Sequence, residues 1–408
     1  MQLFESINGK IGASERSARS LQRLAASRQS SGLQYLVERG RDTYLLLSAW
    51  NCPEQVCLAG FLSALIAQED FQCDHCWLDF ADAIGNDARS LAEVVREANP
   101  SPLALSPAFE ARDSVICDII AAQSLSLLEC MPDVSFGEIQ RTIGATSAGL
   151  SAEAYAYCVS SNALLGLPTD AHKAAREHLL RKILESPVHR SPCHHAFATD
   201  AFPETYYAAV LRLIPPLADF HPVTGALAYD HACQQVTGVS GQRHTLWLKD
   251  LRPSTPQSRN FEQDQNAEFW SSLAGSLADS CFVATLVDAF LDRSQDEVKV
   301  ASRLVQETGV AYIAPHMDMS HKRLTLLFYL GPSSSDSILG TSLYELDEMS
   351  GCARMRKTLP FSPNSVLILP RTETSLHGVE PHKLEYSRVT LHSYLQSRSH
   401  QGTKDFLP

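Results

Sequence analysis

The sequence predicts an α+β chain, with an all-α half followed by a half of short strands forming a sandwich or double-sheet jelly roll that carries helices of its own. Three observations lead there. Apolar residues recur at three- and four-residue spacing up to about residue 185, a polar stretch flanked by prolines interrupts the chain at 186–192, and beyond it short β-type runs alternate with turn clusters.

In the first half, Leu45, Leu46, Leu47, Ala49 and Trp50 form one helical set, and Val56, Leu58, Ala59, Phe61, Leu62, Leu65 and Ile66 the next. Cys52-Pro53-Glu54 divides them, and Pro53 suits the first turn of the second helix, where its missing N–H would have no partner in any case. The runs 114–130, 152–165 and 169–184 continue the pattern, so residues 1–185 read as one helical domain. Ser186-Pro187-Val188-His189-Arg190-Ser191-Pro192 then places a linker, because each proline disfavours helix in the residue before it. Residues 190–408 form the second domain. Helices are expected at 204–213 and 269–290 and strands at 310–313, 324–330, 365–369 and 388–395, separated by turns such as Gly331-Pro332-Ser333-Ser334-Ser335. The stretch 231–265 reads as long and irregular, and is expected to supply part of a substrate-facing lid.

Composition narrows the function classes. A chain of 408 residues is too long for one ordinary core, and with 44% apolar and 20% charged residues it is globular in character. A net charge of -12 argues against nucleic acid as a partner, since polyphosphate binding needs clustered Lys and Arg. The one compact basic run, Arg354, Arg356 and Lys357, follows the acidic Glu345, Asp347 and Glu348 across Met349-Ser350-Gly351, which reads as charge pairing across a hairpin. The chain start lacks the basic and apolar regions of a signal peptide, and no stretch approaches the roughly 18 apolar residues of a membrane span. A cytoplasmic protein without a membrane partner is therefore expected. The 11 cysteines are scattered, and Cys73-x-x-Cys76 has no second pair at zinc-site spacing, so reduced thiols in a reducing compartment are expected.

The residues that carry chemistry lie near the C-terminus. In Pro315-His316-Met317-Asp318, a strand would turn His316 and Asp318 to one face, where both can reach one metal ion. Alone the triplet is weak, because 15 histidines and 46 carboxylates produce such spacings by chance. Three further features follow in order. His377, in Ser375-Leu376-His377-Gly378-Val379-Glu380-Pro381, could supply the second imidazole of a facial triad. Arg388 is a permanent cation able to clamp a carboxylate with two hydrogen bonds. The apolar strand Leu324-Thr325-Leu326-Leu327-Phe328-Tyr329-Leu330 carries a hydroxyl at Thr325 and a phenol at Tyr329.

This order resembles the 2-oxoglutarate oxygenases related to prolyl 4-hydroxylases, most densely over 314–395, and Phe202-Pro203-Glu204-Thr205-Tyr206-Tyr207 resembles the way such domains begin. The resemblance implies a double-stranded β-helix, or jelly roll, with Fe(II) held by His316, Asp318 and His377 and with 2-oxoglutarate and O2 as cosubstrates. It implies that Arg388 pairs with the distal carboxylate of 2-oxoglutarate, that Tyr329 donates its phenol to the same group, and that Thr390 fills the second polar position of an Arg-x-Ser/Thr motif, with Thr325 on the neighbouring strand. Two neutral imidazoles and one carboxylate leave the iron one positive charge and three open positions, enough for a bidentate 2-oxo acid and O2. The expected reaction hydroxylates an unactivated C–H bond of a small metabolite, such as an amino acid or natural-product intermediate, while 2-oxoglutarate becomes succinate and CO2. Asp318 favours hydroxylation over halogenation, because halogenating relatives replace the carboxylate with a small residue; desaturation, cyclisation and epoxidation remain open.

Other histidines have plainer expectations. His392 shares a strand face with Arg388 and Thr390 and is a further candidate for touching substrate or cofactor; His321 and His382 read as surface-loop residues, His194 and His195 as structural, and Tyr312 as core or pocket wall. In the first half, Asp42-Thr43-Tyr44-Leu45-Leu46-Leu47 through Trp50-Asn51-Cys52-Pro53-Glu54-Gln55-Val56-Cys57-Leu58-Ala59-Gly60-Phe61 resembles small helical domains related to HD-type metal proteins and inositol oxygenases. Those need several His and Asp ligands. Here one ligand position is Leu62, and His75, His172 and His178 are the only histidines before residue 185. The expectation is a degenerate, non-catalytic domain serving as a scaffold, a homodimer surface or a platform for substrate delivery. Two other functions compete: a non-catalytic binding or regulatory protein on an oxygenase fold, and a metal-dependent phosphohydrolase run by the first half, which the missing histidines oppose.

Overall fold

Pro53 starts a helix as its position predicts: its carbonyl accepts from Val56 and Cys57, just after Asn51 turns the chain with a positive φ of 57°. The computed structural model describes residues 31–66, 86–98, 113–130, 136–223, 227–230, 235–238, 242–254, 260–291, 297–331, 339–347 and 352–397. Cys73, Cys76 and the expected turn at 349–351 lie outside the described residues. The chain divides into two units, one of residues 1–166 with 254–265, the other of 167–253 with 266–408.

The described secondary-structure elements of the first unit are all helical. Its helices are α1 (Ser31–Ala49), α2 (Glu54–Ile66), α3 (Asn86–Ala98), α4 (Ser114–Cys130), α5 (Phe136–Thr146) and α6 (Ala152–Ser160). Leu47, Phe61, Leu62, Ile119, Ile120 and Ile143 bury the apolar stripes in one core. Ser151 caps α6 by accepting from the Ala154 N–H, and its own N–H donates to the buried Asp118 carboxylate at 2.9 Å.

The second unit begins earlier than the sequence suggests. Helix α7 (Ala171–Glu185) belongs to it, and the proline-flanked stretch expected as a linker instead carries β1 (Val188–His189), paired with β2 (His195–Thr199). Pro187 and Pro192 thus bracket a short edge strand, where a missing N–H removes no sheet hydrogen bond. Helices α8 (Glu204–Arg212), α9 (Phe261–Leu277, whose residues up to Gln265 belong to the first unit) and α10 (Ser280–Phe290) follow, so the single helix expected at 269–290 is two. The break falls at Asp279, whose carboxylate accepts from the Cys281 and Phe282 N–H groups and so starts a new helix.

The remaining strands are β3 (His221–Pro222), β4 (Leu227–Asp230), β5 (Gln235–Gly238), β6 (Gln242–Trp247), β7 (Val298–Thr308), β8 (Val310–His316), β9 (Lys322–Leu330), β10 (Thr341–Leu346), β11 (Ala353–Leu359), β12 (Ser365–Pro370), β13 (His377–Lys383) and β14 (Arg388–Ser397). An eight-stranded sheet has the order β1-β2-β12-β9-β14-β7-β6-β3, a four-stranded sheet the order β11-β10-β13-β8, and β4 pairs with β5. Every pairing is antiparallel. Part of the expected lid, 242–247, is therefore strand β6 of the large sheet.

Period-2 alternation sorts the large sheet into two faces. Leu327, Tyr329, Leu367 and Leu369 point one way and pack with Leu343 and Leu359 of the smaller sheet, making an interior between the sheets. Phe328 points the other way and stacks on Phe202 at 5.4 Å, next to Tyr206 and Phe269 of the covering helices. The charged hairpin is as expected: Glu345 faces Arg354 in register, Arg356 reaches Glu345 at 2.8 Å, and Arg354 reaches Asp347 at 2.8 Å. Among the described residues no single helix is long and apolar enough to cross a membrane.

Candidate metal centre

Strand β8 ends at His316 and β13 begins at His377, and antiparallel pairing makes these two residues register partners. Their ring centroids lie 4.4 Å apart, and with Asp318 they offer three ligand atoms all within 4.8 Å of one another. Among the described residues no other group of His, Cys, Asp or Glu has this closeness. Each imidazole is oriented by its own strand: Nδ1 of His316 donates to the Ala314 carbonyl at 3.0 Å, and Nδ1 of His377 to the Ser375 carbonyl at 3.0 Å. A carbonyl can only accept, so Nδ1 carries the proton and Nε2 keeps a lone pair for a metal. Gly378 lets β13 lie this close to β8, since a Cβ there would stand 2.5 Å from the Ile313 carbonyl oxygen.

The carboxylate of Asp318 is held from both sides. Lys322 Nζ donates to Oδ1 at 2.8 Å and the Thr325 hydroxyl to Oδ2 at 2.6 Å. Burial would raise this carboxyl, but Lys322 and the two imidazoles outweigh it and hold the group well below the usual carboxylate range. Burial, with His377 adding to it, pushes His316 down to about 3. Near neutral pH the cluster therefore presents a neutral His316 imidazole and a carboxylate, the donor types that suit a borderline-hard divalent cation such as Fe(II).

A file of polar side chains runs along the interior face of the large sheet from this point. Tyr394 is the register partner of Thr325, His392 of Leu327 and Thr390 of Tyr329. Thr390 Oγ1 lies 2.9 Å from His392 Nε2, and His392 Nδ1 lies 2.7 Å from the Tyr394 hydroxyl. The Tyr329 phenol donates to Thr341 at 2.7 Å. Arg388 is 4% exposed, with Nε donating to the Leu339 carbonyl at 2.9 Å and Nη1 paired to Glu307, its register partner. Arg243 lies 3.7 Å from the other Glu307 oxygen. Arg388 and Arg243 overcome the burial that would raise Glu307 and hold it ionised.

The structure thus brings His316, Asp318, His377 and Thr325 into one group, and sets Tyr329, Arg388 and Thr390 on the same sheet face. Arg388 differs from expectation in already having an internal carboxylate. Two guanidiniums against one carboxylate still leave one positive charge among Arg243, Glu307 and Arg388. His321 is buried, not a surface-loop residue, because its carbonyl accepts from Ser397 and ties the turn before β9 to β14. His382 sits half-buried in β13, opposite Ala311. His195 is buried with Nδ1 on the Cys193 carbonyl, a structural histidine as expected. Glu307, Lys322, Arg243, Arg303 and Tyr394 were not picked out by sequence reasoning. Their signal was period-2 spacing: Arg303 and Glu307, four apart in one strand, share a face.

No family model and no curated protein matches the chain. Among solved structures, a 2OG-Fe(II) oxygenase family oxidoreductase from Burkholderia pseudomallei is 13% identical with a TM-score of 0.32, over 54% of this chain and 90% of that one. A prolyl-4-hydroxylase from Pseudomonas putida is 12% identical with a TM-score of 0.30, over 54% of this chain and 98% of that one. The non-heme alpha ketoglutarate dependent epimerase SnoN from nogalamycin biosynthesis is 12% identical with a TM-score of 0.33, over 58% of this chain and 90% of that one.

Proposed function

We propose that the chain is a non-haem Fe(II) and 2-oxoglutarate-dependent oxygenase that hydroxylates an unactivated C–H bond of a small metabolite. The observation that carries this reading is the His316, Asp318 and His377 cluster, with both Nδ1 positions committed to backbone carbonyls and both Nε2 positions left for a metal. A double-sheet jelly roll accounts for its placement: β7, β9, β12 and β14 lie in the large sheet and β8, β10, β11 and β13 in the small one, so successive strands repeatedly cross between sheets.

In this reading His316, His377 and Asp318 would hold the iron, and Thr325 and Lys322 keep the Asp318 carboxylate oriented. Arg388, with Tyr329 and Thr390 beside it, receives the distal carboxylate of 2-oxoglutarate. Leu327, Leu343, Leu367 and Leu369 keep water from the interior, which strengthens that ion pair. Iron, 2-oxoglutarate and O2 together supply the oxidising power, with succinate and CO2 as coproducts. The helical unit serves as scaffold, homodimer surface or delivery platform, and the protein acts in the cytoplasm on a small molecule, without nucleic acid.

The test is iron-dependent succinate formation from 2-oxoglutarate. Wild type should form succinate and Asp318→Ala should not; succinate formation that survives in Asp318→Ala would remove the triad from the reaction. The Arg388–Glu307 pair favours a second reading, a binding or regulatory protein whose cosubstrate cation is already neutralised. Bound iron with no succinate from wild type would select it.

A further inference from the structure

We propose that Arg303 is the anchor for an acidic group on the substrate, so that the molecule oxidised is an organic anion. This rests on the oxygenase reading and names the substrate class for that site. Arg303 lies on the interior face of β7, the register partner of Trp247 on one side and His392 on the other. Its guanidinium is flanked by aromatic rings, 5.2 Å from the Trp247 centroid and 5.4 Å from that of Tyr394. Stacking on rings fixes the plane of a guanidinium and turns its N–H edges outward, the arrangement that recognises a carboxylate.

Those edges are incompletely used. Nη2 donates to the Tyr394 hydroxyl at 2.9 Å, while Nε is buried and has no hydrogen-bond partner. No described carboxylate lies within ion-pair distance of Arg303, since Glu307 is taken by Arg388 and Arg243 and Asp318 by Lys322. The cations facing this interior are Arg243, Arg303, Arg388 and Lys322, against Glu307 and Asp318. The neighbouring His392 adds no charge, because burial and then Arg303 and the other cations keep its ring neutral. After the distal carboxylate of 2-oxoglutarate takes the charge left among Arg243, Glu307 and Arg388, Arg303 still has no anion.

Its position points to the reacting end of the interior. The Tyr394 ring that Arg303 stacks on also lies 4.0 Å beneath the Lys322 ammonium, which in turn holds Asp318. Arg303 is therefore two side chains away from a metal ligand, on the sheet face that the substrate must share. Taken as a whole, the Arg303 side chain and backbone are only partly buried.

The test follows the arginine Nε–H resonances of the isotope-labelled full-length chain, loaded with Zn(II) as a diamagnetic substitute for iron. The Arg303 signal is the one missing from Arg303→Lys, or from Arg303→Gln if the first variant does not fold. Acetate is titrated without and then with saturating 2-oxoglutarate, and acetamide serves as the neutral control. A saturable shift of the Arg303 signal with acetate in both conditions, and none with acetamide, is expected. No shift with acetate, or an equal shift with acetamide, overturns the proposal. So does a shift caused by 2-oxoglutarate that abolishes the acetate response, since Arg303 would then hold the cosubstrate. Succinate formation reports separately on the oxygenase reading: its absence with iron bound sinks that reading, whereas the acetate response alone decides whether Arg303 binds an anion.

Discussion

Glu307 is 2% exposed, and its carboxylate is tolerable there only because Arg388 and Arg243 share it. Arg388→Leu leaves the buried Glu307 carboxylate with Arg243 alone, 3.7 Å away, so folding stability should fall by about 3–5 kcal/mol. Adding Glu307→Leu should not restore it, because the Arg243 guanidinium then loses its carboxylate in turn. Chemical denaturation of the two variants checks this, and a double variant as stable as wild type would contradict the sharing of Glu307 between the two arginines. At this scale the grouping of His316, Asp318 and His377 was legible because His316 and Asp318 stand two apart at a strand end and His377 precedes a glycine. Arg388 was legible as a cation but its partner was not, since nothing in a linear sequence says that Glu307, far upstream, is its register neighbour. Lys322 was hidden in the same way: four residues after Asp318, it reads as an ordinary charged turn residue.

At the scale of elements, the cluster depends on β8 and β13 approaching closely where their register shifts, between His377 and Val379. Gly378→Ala would force a methyl to within 2.5 Å of the Ile313 carbonyl oxygen, so β13 must move off β8 and carry His377 with it. The variant should fold but bind a divalent metal on the order of tenfold or more weakly, as a change of about 1.4 kcal/mol in ligand placement would produce. Calorimetric titration with Zn(II) measures this, and an affinity equal to wild type would contradict the role given to the glycine. Helix α4 was read to its exact ends from periodicity, and strands β9 and β12 from apolar runs, because burial on both faces leaves such runs uninterrupted. Strand β7 escaped because its interior face carries Arg303 and Glu307, which look like solvent-facing residues until their partners are known. Strand β6 escaped for the same reason, with Arg243 on that face.

At the scale of the molecule, burial depresses His172, His195, His316 and His392 below the usual 6.5, and all four lie in the second unit. The unfolded chain binds protons that the folded one refuses, so this stability is complete above about 6.5 and falls as pH drops, with His316 extending the loss toward 3. Asp318 and Glu307 are also depressed, and their contribution is lost in the same direction at lower pH. The melting temperature should therefore fall steadily on acidification from pH 6.5, and a flat or rising trend would contradict the buried, neutral state of these imidazoles. The change in grammar along the chain falls inside the second unit, because α7 has the same periodicity as the helices before it and only its packing assigns it there.

The central claim is that His316, Asp318 and His377 present a metal to a 2-oxo acid. It is tested most directly by anaerobic titration of the Fe(II)-loaded chain with 2-oxoglutarate, in wild type and His377→Ala, watching for the weak visible charge-transfer band of a chelated 2-oxo acid. A band in wild type that is absent from His377→Ala is the predicted result. Iron bound in wild type with no band at any 2-oxoglutarate concentration would contradict the account.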